Sequence, residues 1–249
     1  MSFELSSVIS QLSERASTTA KAPVSPQAIL EHVFDALTDK GAAHVCYAHV
    51  PPVGAIDFRR PRLIASRGLS QAWIKEYTQC RYEDTDPISR AALSKAFPFS
   101  WKNVGSMIRL TDDDRRYLRR LDEEDLFSGL SVPVFGPRGR NGFFGVGWDE
   151  ARCDGDVEDA IEIQSFCQQA HLIYCELIQA QTARTHDLSD REKEVLRLVL
   201  EGQTNKEISK QLSISVNSVA TYLARAQVKL GTDHRFFSAT RALTLGLLD

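Results

Sequence analysis

Towards the end of the chain, apolar residues recur every three to four positions in short runs. This pattern predicts several short helices rather than one long one. In L-S-D-R-E-K-E-V-L-R-L-V-L, Val195, Leu196, Val199 and Leu200 form one stripe. Ser189 and Glu192 make a capping box at its start, and Gly202 is placed to end it. Thr204 and Glu207 make a second capping box for T-N-K-E-I-S-K-Q-L, whose buried side is Ile208 and Leu212. Only Ser213 and Ile214 separate it from a third run, capped by Ser215, in which Val219, Leu223, Ala226 and Leu230 share a face. A short helix followed almost at once by a longer one must cross it steeply, which is the geometry of a helix-turn-helix DNA reader. A plain helical bundle with no nucleic-acid role fits the same periodicity.

Upstream the pattern alternates between helix and strand. Pro26 to Lys40 reads as a helix with Ile29, Leu30, Val33, Phe34 and Leu37 on one side, Ser25 as its cap and Pro26 at its first position. Ala43 to Val50 and Arg62 to Ser66 read as strands on either side of a P-P-V-G loop. Helices follow over Ser70 to Cys80, Pro87 to Lys95 and Asp112 to Asp125. Leu130 to Phe135 and Phe143 to Trp148 read as strands joined by a Gly-rich hairpin connection, and Asp156 to Thr182 as a long closing helix. The fold class expected is α+β with two domains. The first is an α/β/α sandwich around an antiparallel sheet, and the second is an all-α helix-turn-helix bundle. The boundaries expected are 1–182 for the sandwich, 183–187 for a polar linker and 188–249 for the reader.

Composition narrows the class. With 43% apolar and 25% charged residues in 249, the chain is an ordinary globular protein with room for two domains. No apolar run approaches the ~20 residues of a membrane helix, and the N-terminus has no basic n-region, so a cytoplasmic location is expected. Cys46, Cys80, Cys153, Cys167 and Cys175 form no C-x-x-C pair, so free thiols and no metal site are expected. No nucleophile elbow or histidine cluster suggests an enzyme. The net charge is −3, yet from Asn205 onward six basic residues face three acidic ones. Phosphate binding therefore belongs at this end. On the third helix Asn217, Ser218, Thr221, Tyr222 and Arg225 suit base edges and phosphates, with Thr204, Lys206 and Lys229 as further DNA-contacting candidates.

The run L-S-D-R-E-K-E-V-L, then E-G-Q-T-N-K-E-I-S, L-S-I-S-V-N-S-V and K-L, resembles the LuxR/GerE-type helix-turn-helix. Glu192, Leu196 and Gly202 stand where that family carries its most regular Glu, Leu and Gly. The resemblance implies DNA binding as a homodimer on an inverted repeat, with RNA polymerase as a further partner. Some members read bases with Arg where Ala220 and Ala224 stand here, so a different target sequence is expected.

In the first domain Trp73 and Tyr77 lie four apart and share a helix face, and Asp86 opens the next element in D-T-D-P-I-S. On spacing alone, the aromatics are core and Asp86 caps the helix begun by Pro87. A ligand reading is open beside it, since a carboxylate among aromatic rings can accept from a small ligand's N–H. The ordered set Trp73, Tyr77, Asp86, Pro87, Trp101 and Gly129 resembles the autoinducer-binding domain of quorum-sensing LuxR-type receptors. The resemblance implies an N-acyl-homoserine lactone as signal and no cofactor. Trp73 would donate to the lactone carbonyl and Asp86 would accept from the amide N–H, with Tyr77 and Trp101 lining the pocket. Three positions depart from common members. Leu69 replaces a Tyr, Ile88 a Thr, and Gly145 a Ser or Thr. A more apolar pocket, roomier near Gly145, is expected there. These departures also leave open a ligand-independent regulator controlled by a protein partner.

Overall fold

A computed structural model of the chain describes residues 25–50, 62–149 and 157–248. The P-P-V-G loop and the start of the closing helix at Asp156 lie outside them. Two compact units divide between Leu177 and Ile178.

The first unit is built on an antiparallel sheet of five strands, β1 (His44–His49), β2 (Arg62–Arg67), β3 (Phe99–Ser100), β4 (Gly129–Val134) and β5 (Gly142–Gly147). Their order is β2-β1-β5-β4-β3. β4 and β5 are the expected hairpin, with Arg138 in the left-handed region at φ 57° inside its Gly-rich connection. β3 is the one strand the periodicity does not reveal. It is only two residues long and earns its place by pairing Phe99 with Ser131 and Ser100 with Leu130.

Helix α1 (Pro26–Asp39) packs on β1 and β2 through Ile29, Leu30, Val33, Phe34 and Leu37, and Ser25 caps it by accepting from the Ala28 N–H. Successive β1 side chains face opposite ways. Tyr47 meets His171 and Tyr174 of the long helix α6 (Val157–Thr185) on one face. His44, Cys46 and Ala48 line a cavity on the other. That cavity is roofed by α2 (Gln71–Gln79), α3 (Pro87–Ala92) and α5 (Asp112–Glu123), with the short α4 (Val104–Met107) following Trp101. The sheet is thus covered by helices on both faces. Helix α6 continues to Thr185, into the stretch read from sequence as linker.

Beyond the end of α6, the described residues of the second unit form four helices, α7 (Asp190–Leu200), α8 (Asn205–Gln211), α9 (Val216–Leu230) and α10 (Arg235–Thr244). Both capping boxes form, Ser189 with Glu192 and Thr204 with Glu207, and Ser215 accepts from the Ser218 N–H at 3.0 Å. Gly202 takes φ +84° just past α7, a conformation glycine adopts without a Cβ clash. The turn between α8 and α9 places Ser213 at φ 53°. Val195, Leu196, Ile208, Val219, Ala226 and Leu230, all nearly inaccessible, form the core these helices share.

Candidate functional site

The cavity of the first unit encloses about 80 Å³. Its floor is the sheet, and rows of paired residues explain its shape. His44 and Gly129 flank Gly147 across β1, β5 and β4, while Cys46 and Ser131 flank Gly145 in the next row. The glycines leave room for flat rings to lie on the strands. A Cβ on Gly129 would stand 2.4 Å from Trp101 Cζ3, and one on Gly147 would stand 1.9 Å from His44 Nε2. The Trp101 and His44 rings are stacked, 5.8 Å between centroids and 27° between planes. Trp101 Nε1 donates to Ser131 Oγ at 3.2 Å.

The roof is aromatic. Trp73 and Tyr77 project from α2 and Tyr117 from α5, and these three pack with Tyr82 at centroid distances of 5.0–6.5 Å. Arg120 of α5 lies 5.9 Å above the Trp73 ring and grips Glu76 of α2 through Nε at 2.9 Å and Nη2 at 3.0 Å. This forked pair ties together the two helices that carry the aromatic wall.

Asp86 does both things that its position allowed. Its Oδ1 accepts from the Ile88 N–H at 2.8 Å, so it caps α3. Its Oδ2 accepts from the hydroxyls of Ser89 and of Tyr77, the latter at 3.3 Å. The carboxylate is 6% exposed and lines the cavity. Burial raises its pKa above the ordinary value, while the Ser89, Ile88 and Tyr77 hydrogen bonds pull the other way. Burial likewise pushes the Tyr77 phenol up, and the nearby Asp86 charge adds to the shift. Trp73 is 4% exposed, and its indole N–H makes no hydrogen bond among the described residues. The wall therefore presents one free donor and one carboxylate held by three donors, in surroundings that are otherwise mostly apolar.

All seven residues expected at a ligand site, Leu69, Trp73, Tyr77, Asp86, Ile88, Trp101 and Gly145, line this one cavity. The roomier space expected near Gly145 is absent. A Cβ there would lie 2.7 Å from Cys46 Sγ and 3.3 Å from Trp101 Cζ2, so neighbours already fill the volume that a Ser or Thr side chain would take. His44, Cys46, Leu63, Tyr117, Ser131 and Phe143 also line the cavity and were missed from sequence. Alternation along β1 and β4 is the signal for three of them, His44, Cys46 and Ser131, once the cavity-facing side of each strand is known.

In the second unit, α9 exposes Asn217, Thr221 and Arg225 at four-residue spacing, with Ala220 and Ala224 beside them. Thr221 Oγ1 donates to the Asn217 carbonyl at 2.9 Å, and the Ser218 and Ser215 hydroxyls pair at 2.8 Å. Tyr222 is half-buried and packs on the helical core. Lys206 is exposed at the start of α8, whereas Thr204 is engaged in its cap, donating to Glu207 Oε2 at 2.7 Å. Lys229 departs from expectation. Its ammonium donates to Glu192 Oε2 at 2.8 Å, and Glu192 is 2% exposed. The pair holds the Glu192 carboxyl below its ordinary range despite burial, so Lys229 joins α9 to α7 instead of standing free for phosphate.

Comparison with known proteins bears on both units. Residues 25–174 match the family model for the autoinducer binding domain, and residues 186–242 match that for bacterial regulatory proteins of the luxR family. The transcriptional activator protein LuxR of Aliivibrio fischeri is 27% identical over 184 residues, covering 71% of this chain and 72% of that protein. The quorum sensing-dependent regulator RpaR of Rhodopseudomonas palustris is 27% identical over 188 residues, covering 76% of each. The HTH-type transcriptional regulator y4qH of Sinorhizobium fredii is 26% identical over 71% of this chain, but that match spans only 54% of y4qH. The fold resembles that of Escherichia coli SdiA, with a TM-score of 0.71 at 19% identity over 96% of this chain and 97% of SdiA. The chain belongs to the LuxR family of transcriptional regulators, with an autoinducer-binding domain followed by a DNA-binding helix-turn-helix.

Proposed function

We propose that the cavity binds an N-acyl-homoserine lactone and that the chain, as a homodimer, binds an inverted-repeat promoter and acts there on RNA polymerase. The observation that carries the ligand reading is the pairing of Trp73 and Asp86 on one apolar cavity. The free indole N–H of Trp73 suits a lactone carbonyl. Asp86, with three donors around its two oxygens, keeps lone-pair capacity for one amide N–H. Leu63, Leu69, Ile74 and Phe143 offer apolar surface to an acyl chain. On the DNA side, Asn217, Thr221 and Arg225 reach too few base pairs for one copy to be selective, so two copies on adjacent half-sites are needed. Phe236 and Phe237 of α10, 51% and 57% exposed, and Ile161 and Leu172 of α6 are candidates for the surface between copies.

The test is a thermal-shift panel on the full-length protein. It contains acyl-homoserine lactones of four to twelve carbons together with octanoylglycerol, because SdiA has been solved with octanoyl-rac-glycerol. At least one lactone should raise Tm. Asp86→Asn, which keeps the helix cap, and Trp73→Ala should abolish that response while remaining folded by circular dichroism. A shift with the acylglycerol alone, or an undiminished response in both variants, overturns the assignment.

A further inference from the structure

The polar groups of the cavity are mostly accounted for. Ser89 and Tyr77 donate to Asp86, Trp101 donates to Ser131, and Trp73 and Asp86 serve the lactone and amide end in the reading above. His44 is not. It lines the cavity from the first position of β1 and is 8% exposed. Its Nε2 is fully buried with no hydrogen-bond partner among the described residues. The ring is held on two sides, by the Trp101 face and by the backbone of Gly147. Burial pushes its pKa down, against the pull of Asp149, so the imidazole is neutral near pH 7, with one nitrogen a donor and the other an acceptor. A buried polar side chain that finds no partner within its own fold is costly, and a ligand entering the same cavity can supply one.

We infer that His44 is a specificity-determining residue of this cavity, pairing with an oxygen carried on the acyl chain of the signal. Trp73 and Asp86 stand on the helical roof, whereas His44 stands on the sheet floor beside Trp101. A ligand anchored at the roof by its lactone and amide therefore extends its acyl chain towards the floor. A neutral imidazole can donate to an oxo group or accept from a hydroxyl, so it favours either over an unsubstituted chain. The inference rests on the acyl-homoserine lactone reading and adds the class of acyl group to it.

The experiment measures binding of octanoyl-, 3-oxo-octanoyl- and 3-hydroxyoctanoyl-homoserine lactone to the full-length protein by titration calorimetry. Wild type should bind at least one oxygenated ligand about tenfold more tightly than the plain one, a difference of about 1.4 kcal/mol. His44→Phe keeps a flat ring beside Trp101 but cannot form the hydrogen bond, and should bind all three within twofold of one another. His44→Gln should recover part of the preference. Should His44→Phe fail to fold, the His44 imidazole nitrogen resonances of wild type remain informative. They should move with the preferred oxygenated ligand and not with octanoyl-homoserine lactone. Equal affinities in wild type, or an unchanged preference in His44→Phe, overturn the role of His44 and leave the lactone reading intact. No binding by any of the three overturns the lactone reading, and the His44 inference with it.

Discussion

Gly145 shows how a single residue shapes this cavity. It sits between Cys46 and Ser131 in the sheet, and any side chain there must displace the Cys46 sulfur or the Trp101 ring. Gly145→Ser should therefore destabilise the protein, by about 1–3 kcal/mol as for other overpacked core positions. Cys46→Ala removes the nearer atom, so the double variant should be more stable than the two single effects predict, with a coupling of at least about 0.5 kcal/mol in a urea-unfolding cycle. Strict additivity would show that the two sites do not compete for the same space. Asp86 makes a complementary point. Its role as a cap and its role at the cavity wall use different oxygens, Oδ1 for the Ile88 N–H and Oδ2 for Ser89 and Tyr77, so the two readings open in the sequence do not exclude each other.

At the scale of elements, a few polar contacts lock helices whose apolar faces already meet. In the reader, Glu192 and Lys229 join α7 to α9. Lys229→Met leaves a nearly inaccessible carboxylate unpaired. Because the Lys229 side chain is 37% exposed, solvent softens the loss to about 2 kcal/mol, below that of a fully buried pair. The folded variant should keep the wild-type salt dependence of DNA binding. Arg225→Ala, on the exposed face of α9, should instead lower the slope of log K against log salt by about 1. A reduced slope for Lys229→Met would return that residue to the phosphate contacts. In the first unit, Tyr47, His171 and Arg140 link β1, α6 and the β4–β5 connection. His171 Nε2 faces the Arg140 carbonyl at 2.8 Å and must carry the proton, so Nδ1 accepts from the Tyr47 hydroxyl at 2.9 Å.

One contribution to the behaviour of the whole molecule in acid comes from that buried histidine. Burial lowers the His171 pKa from its usual 6.5 to about 4. Above pH 6.5 the ring is neutral in both folded and unfolded chains and adds no pH dependence. Between pH 6.5 and about 4 only the unfolded chain takes up the proton. Stability should therefore fall with pH across that window, by at most about 1.4 kcal/mol per pH unit from this group. Denaturant titrations at pH 7 and pH 5 should show a smaller loss for His171→Leu than for wild type, and equal losses would assign the acid sensitivity elsewhere. No described helix is long and apolar enough to cross a membrane. The arrangement of the molecule is that of its family, a signal-binding unit followed in the chain by a DNA-binding one.

Much of this was legible in the sequence. Caps, glycine stops and apolar stripes act over three or four residues, so Ser189, Thr204, Ser215 and Gly202 located α7 to α9 without any knowledge of their partners. The spacing of Trp73, Tyr77, Asp86 and Trp101 was enough to gather seven residues of one cavity through a family resemblance. Long-range pairing was not legible. Strand β3 exists only because β4 lies beside it. The space over Gly145 is closed by Cys46 from a strand about a hundred residues away. Lys229 is paired with a carboxylate on another helix. His44 gains its interest only when the sheet lays it beside Trp101 with no partner for Nε2. Local chemistry is written along the chain, whereas the identity of each neighbour across the sheet or between helices depends on the whole fold being in place.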